Sequence, residues 1–312
     1  MKRFKKLLFV ADGNDGERQA LGRAAELAEA NGATLTLFDA VSSDNFVPSD
    51  PTLEPLLDDI REAHLQARLE ELEELAAALR PEHASLELAV VARSGNTARA
   101  AIRAVVTDGY DLVVKAPEGG SQRFNMLFGS TDQHLMRKCP CPVWIIRPRD
   151  DHRFSKILAA VEIDPNEAAA GPLATQIMEM STSLAEMDDA ELLVAHAWHL
   201  AAEAKLKTGH IDMGLVERII ADMGATHRKS VEALVAAHPY AKTTIHVIKG
   251  EAGHVIADLA DEQQVDLVII GSVGRSGVPG LMIGNTAEKV IASVDCSVLT
   301  IKPPGFETPL RF

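Results

Sequence analysis

Cysteine is scarce in this chain. Cys139 and Cys141 are separated by one residue and Cys296 lies far away, so three thiols make no disulfide framework and a reducing cytoplasm fits best. Aromatic residues make up only 4%, which leaves little from which to build a base-stacking platform for nucleic acid. Positive charge is also in deficit: 31 basic against 45 acidic residues give a net charge of -14, repelling a phosphate backbone and an anionic lipid surface alike. Direct nucleic-acid binding is therefore disfavoured. No stretch approaches the roughly 18 apolar residues of a membrane span. The basic start is followed by an apolar run from Leu7 to Ala11 that stops at Asp12, short of the roughly 7–15 residues of a secretion signal.

What is present describes an ordinary globular protein, with 46% hydrophobic and 24% charged residues. At about 150 residues per domain, 312 residues predict two domains. Short apolar runs at 6–11, 34–40, 86–92, 111–115 and 143–147 predict strands. Helical patterns fill the gaps at 16–30, 97–107 and 131–138, and along the 3–4 spacing of Leu65, Leu69, Leu72, Leu75 and Leu79. Such alternation predicts an α/β fold with a parallel sheet covered on both faces.

A polar, proline-led stretch at 148–153 reads as a linker, after which the pattern starts again. Strands are expected at 156–161, 191–197, 243–248, 266–271 and 298–302. Placing residues 266–303 over 111–148 without a gap gives 11 identities in 38 positions, where chance gives about two. The chain is read as a tandem duplication of a five-stranded unit, with domains at 1–149 and 154–304.

Ligands of a parallel sheet lie beyond the carboxyl ends of its strands. In the second half that place holds Gly271, Ser272, Gly274, Arg275 and Ser276, then Gly284, Asn285 and Thr286 at the start of a helix. Glycines let a backbone approach an anion, free N–H groups at a helix start point at it, and Arg275 adds charge. The plainer alternative is a turn followed by an ordinary Asn or Thr helix cap.

The spacing Gly271-x2-Gly274-x9-Gly284, after the apolar run from Asp266 to Ile270, resembles the ATP-loop signature of the universal stress protein family. The whole tandem chain resembles the E type of that family. The resemblance implies two Rossmann-like units, similar to adenine nucleotide alpha-hydrolases, each with strand order 3-2-1-4-5. It also implies a cytoplasmic role in stress endurance, with ATP or ADP as ligand, with or without magnesium. In such families units pair through their last strands, so an intramolecular pseudo-dimer of the halves is expected, and a homodimer stays open.

The chain departs from the signature in both halves. Asn285 replaces the hydroxyl residue after the third glycine, and Glu162 replaces the aspartate that ends the family's first strand near the base. The first half keeps Asp12, Gly119, Gly129, Ser130 and Thr131, but has Ala116 for the first glycine, followed by Pro117 and Glu118. Proline removes a donor and a carboxylate repels phosphate, so this half is read as a degraded site.

Other candidates carry less. His134, Cys139 and Cys141 supply zinc-type ligands without a visible fourth; packing is the alternative for the cysteines. His196, Trp198 and His199 end a strand at the ligand edge. The apolar stripe at 212–237 is core or, in a second function class, a surface for an apolar or acylated metabolite carried by a scaffold that binds no nucleotide. No Walker loop, Ser/His/Asp order or catalytic carboxylate pair is present, so any hydrolysis is expected to be slow.

Overall fold

The computed structural model describes residues 4–14, 16–41, 54–118, 128–149, 153–167, 169–200, 213–272 and 284–312. The described residues form two compact units, one made by those up to Arg149 together with Phe306–Phe312, the other by those from Arg153 to Ser272 and from Gly284 to Gly305.

The first unit runs β1 (Lys6–Val10), α1 (Glu17–Asn31), β2 (Thr34–Val41), α2 (Glu54–Leu79), β3 (Leu88–Ser94), α3 (Thr97–Asp108), β4 (Leu112–Lys115), α4 (Ser130–Lys138) and β5 (Val143–Ile145). All its strand pairs are parallel. β1 pairs with β2 and β4, β2 with β3, and β4 with β5, so the strands lie in the order 3-2-1-4-5. Right-handed crossovers in that order put α1 and α2 on one face and α3 and α4 on the other, and within each pair the helices are in contact.

The second unit repeats this with β6 (Lys156–Ala160), α5 (Pro172–Asp188), β7 (Glu191–Trp198), α6 (Met213–Ala236), β8 (Thr243–Lys249), α7 (Ala252–Glu262), β9 (Leu267–Gly271), α8 (Asn285–Ser293) and β10 (Ser297–Ile301). β6 pairs with β7 and β9, β7 with β8, and β9 with β10, again all parallel.

Central strands are buried on both faces, as the continuous apolar runs of β4 and β9 require. Edge strands β3 and β8 are half-buried. β3 begins later than its apolar pattern suggests because His83 and Leu86 are held in a turn, their N–H groups bonded to Leu79 and His83 carbonyls. Leu72 of α2 is fully buried against the sheet. Helix ends follow local chemistry: Asn96 accepts from Arg99 N at 3.1 Å to start α3, and Gly109, at φ 74, ends it.

The repeated aspartates Asp111 and Asp266 do the same job in each unit. Asp111 accepts from the backbone N–H of Lys5 (2.7 Å) and Lys6 (3.2 Å), and Asp266 from Ser155 (2.6 Å) and Lys156 (3.0 Å). They pin the start of the first strand to the start of the fourth, at the amino-terminal edge of the sheet. Among the described residues no helix is long and apolar enough to cross a membrane.

Candidate functional site

In the first unit the crevice is built from the ends of β1 and β4, which pair with Val10 opposite Lys115. Lys115 closes β4 and is fully buried. Its Nζ donates to the Asp12 carboxylate and to the Ala116 carbonyl (2.8 Å), and lies 3.2 Å from Asp132 Oδ1. Burial lowers the Lys115 pKa, but the charges of Asp132 and Asp12 outweigh it and leave the group raised, hence firmly cationic. Asp132 sits fully buried in the first turn of α4, its pKa raised by burial against the pull of Lys115.

Three carboxylates bind the backbone donors of this crevice. Asp132 Oδ2 accepts from Glu118 N (2.9 Å) and Gly129 N (3.3 Å). Glu118 Oε2 accepts from Thr131 N at 3.3 Å and packs on Gly129 so closely that a Cβ there would collide with it. Glu17, buried, accepts from Asp12 N (2.8 Å) and Gly13 N (2.6 Å). A helix N-terminus and a strand-end turn are where a phosphate would bind; here the protein's own side chains occupy both. Asp12 is paired with Lys115 and bridged to Asn14 Nδ2 at 2.5 Å. Ala116 is buried, and Ser130 and Thr131 open α4. Gly119 lies outside the described residues.

Nearby, Arg68 of α2 pairs with Asp39 of β2 and with Glu71. Sequence reasoning missed Lys115, Asp132, Glu17 and this arginine. One signal for the first two was in the repeat: Lys115 aligns with Ile270, and Asp132 with Ala287.

In the second unit Ile270 and Ala287 stand where the first has Lys115 and Asp132. Ser272 follows β9, with its N–H on the Ile301 carbonyl at 2.9 Å and its hydroxyl on the same oxygen at 3.4 Å. It is fully buried, so its side chain braces the sheet. Gly284 N donates to Ser272 O at 2.8 Å, which ties the two ends of the loop, and α8 begins at Asn285. No described side chain caps the first turn of α8. Asn285 is exposed and Thr286 half-buried. Gly271 has a packing reason of its own, since a Cβ there would come within 2.7 Å of Leu173 Cδ2 in α5. Glu162 is exposed just past β6. Gly274 and Arg275 lie outside the described residues.

At the carboxyl edge of β7, His196 is buried, with Nδ1 3.0 Å from the Val161 carbonyl and Nε2 2.9 Å from His227 Nδ1 of α6. The His227 ring also stacks on Trp198, centroids 5.3 Å apart at 19°. Burial lowers the pKa of both histidines; for His227 the neighbouring His196 adds to the effect and Asp164 opposes it. Gly224 lets α6 come close, since a Cβ there would lie 3.1 Å from the Trp198 ring. His199 is exposed. His227, on a helix 31 residues from its partner, had no local signal.

Cys139 and Cys141 bring their sulfurs to 3.5 Å, both buried, and Cys296 is buried too. The hydrogen bond with Cys139 and burial push the Cys141 thiol up. His134 does not complete a site with them: among the described residues no three His, Cys, Asp or Glu side chains are gathered as a metal ion would need. The stripe on α6 is core at Val216, Val231 and Leu234, while Met213, Leu215 and Ile219 face solvent.

A model of the universal stress protein family matches residues 3–147 and again 153–302. The chain is 27% identical over 313 residues to universal stress protein E of Escherichia coli K12, covering 100% of this chain and 98% of that protein. It is 28% identical over 316 residues to a universal stress protein E homolog of Haemophilus influenzae, covering 96% and 98%. Among solved structures, a functionally unknown protein of Pseudomonas aeruginosa PAO1 shares the fold with a TM-score of 0.72 and 22% identity, over 97% of this chain and 94% of that one.

Proposed function

Because the chain belongs to the universal stress protein family through both of its halves, we infer that it is a nucleotide-responsive binding protein of the stress response, holding ATP or ADP in its second unit only. The observation that supports this is the contrast between two equivalent helix starts. α4 has the donors at its start taken by Asp132 and Glu118, whereas at α8 the Gly284 N–H goes to the Ser272 carbonyl and no described side chain takes the N–H groups of Asn285 and Thr286. A helix start with open N–H groups and a positive dipole end favours a phosphate. In the first unit an incoming triphosphate would have to displace two carboxylates from the same donors. The bound nucleotide acts as a regulatory or structural ligand, and its hydrolysis is slow.

Calorimetric titration of ATP and ADP into the intact chain tests this. One nucleotide per chain is expected, at micromolar affinity, about -8 kcal/mol, and Gly274→Val should abolish it while Gly119→Val leaves it unchanged. Two equivalents, equal sensitivity to both substitutions, or no binding would overturn the assignment.

A second reading, a scaffold that carries an apolar or acylated metabolite, is favoured by Met213, Leu215 and Ile219 standing exposed on α6. Binding of an acyl chain with no nucleotide binding would select it.

A further inference from the structure

On the reading that the second unit holds a nucleotide, the choice of its base turns on the pair His196 and His227. The Val161 carbonyl can only accept a hydrogen bond, so the proton between it and His196 must sit on His196 Nδ1. A neutral His196 then has a lone pair on Nε2, and the 2.9 Å contact there requires His227 Nδ1 to donate. This leaves His227 Nε2 as an acceptor. No described group hydrogen-bonds to that nitrogen, and it is not among the buried unpartnered atoms. The chain of bonds thus sets not only the orientation of the His227 ring but the polarity of its open edge.

The position is equally constrained. Val161 N donates to Ala195 O at 2.9 Å, which places His196 one residue beyond the last β6 partner, at the carboxyl edge and beside Glu162. Trp198 supports the His227 ring from its stacked face, and Gly224 allows the helix to approach that closely. Core packing alone would be served by an apolar side chain, without burying an imidazole whose polar atoms both need partners.

We propose that His227 is a specificity-determining residue that accepts a hydrogen bond from the exocyclic amino group of an adenine base, and so discriminates against purines carrying a 6-oxo group. A fixed lone pair attracts an amino donor and opposes a carbonyl oxygen, and discrimination of this kind is strong where the site's polar atom is left unpaired by the wrong base.

The test compares ATP with inosine triphosphate, which differs at that position, on the intact protein. Wild type should prefer ATP by about 10–100-fold. His227→Asn keeps an amide donor for His196 but removes the far edge of the ring; it should bind both triphosphates with equal, inosine-like affinity. His227→Gln, which reaches further, should retain part of the preference. Thermal melting of each variant checks that the fold is intact. A structural role would not move the pH profile, but an acceptor must be neutral. The groups that bear on His227 are His196 from β7 and Asp164 from the loop after β6, and the ATP preference should vanish as acid protonates the pair. ATP bound no better than the inosine nucleotide, or a preference surviving in a folded His227→Asn, would overturn the proposal and leave nucleotide binding standing. Failure of wild type to bind either would overturn both.

Discussion

Lys115 and Asp132 stand 3.2 Å apart with no solvent exposure on either side chain, where the other unit holds Ile270 and Ala287. Removing one member of a buried pair leaves an uncompensated charge and costs about 3–5 kcal/mol. Lys115→Ile or Asp132→Ala alone should each lower the unfolding free energy of the first unit by about that much. The double change, which reproduces the apolar solution of the second unit, should cost clearly less than their sum. Urea denaturation of all four proteins measures the coupling, and strict additivity would falsify the pairing.

The buried His196 gives the second unit an acid sensitivity. Its native pKa lies below the ordinary value because burial disfavours the cation, while the unfolded chain takes up the proton near about pH 6.5. The unfolded state therefore binds more protons below that pH. The contribution is complete above about 6.5 and falls away as pH drops towards the native value, by at most about 1.4 kcal/mol per pH unit. Urea midpoints between about pH 5 and 7 should show this slope in wild type, and His196→Leu should flatten it.

ATP turnover should be far below the roughly 1–10³ per second of typical enzymes. Phosphoryl transfer needs a held metal, charge stabilisation and a placed water. Between Gly271 and Thr286 the chain offers Arg275 as its single cation, and Ser272 has its hydroxyl on the Ile301 carbonyl. Turnover in magnesium at an enzymatic rate, lost in Gly284→Val, would make this an ATPase.

All three thiols are buried, and that of Cys141 is pushed up by Cys139 and burial. Since the thiolate is the reactive form, the native protein at neutral pH should react with a disulfide reagent only slowly. Denaturant should release three thiols per chain. Rapid native labelling of Cys141 would contradict the packing described.

The α/β pattern and the repeat were legible because strand and helix periods are local and because Asp111, Gly129 and Thr131 recur in frame as Asp266, Gly284 and Thr286. Edge strand β3 was shifted because half-exposure blurs its apolar pattern. Glu118 was read as hostile to phosphate from its charge alone; its position on Thr131 N was not visible, and neither was the use of Asp132. Lys115 looked like a polar end to an apolar strand. Only contact across the fold reveals that it is enclosed between two carboxylates. Ser272 and Gly271 looked like ligand residues, yet the first is bonded to the sheet and the second makes room for Leu173. His227 is fixed by residues on another element, a relation no spacing rule encodes.

The aspartate clamps carry a consequence for synthesis of the chain. Asp111 reaches back 106 residues to Lys5, and Asp266 reaches back 111 residues to Ser155. Until the fourth strand of a unit has left the ribosome, the first strand has one neighbour, an open flank and unclamped amides at its start. Contacts so distant along the chain form late because loop closure precedes any gain from them. The centre of each sheet therefore closes only once its own fourth strand arrives, with that of the amino-terminal unit first. A nascent chain arrested before residue 111 should remain protease-sensitive, and one extended past residue 149 and clear of the exit tunnel should resist.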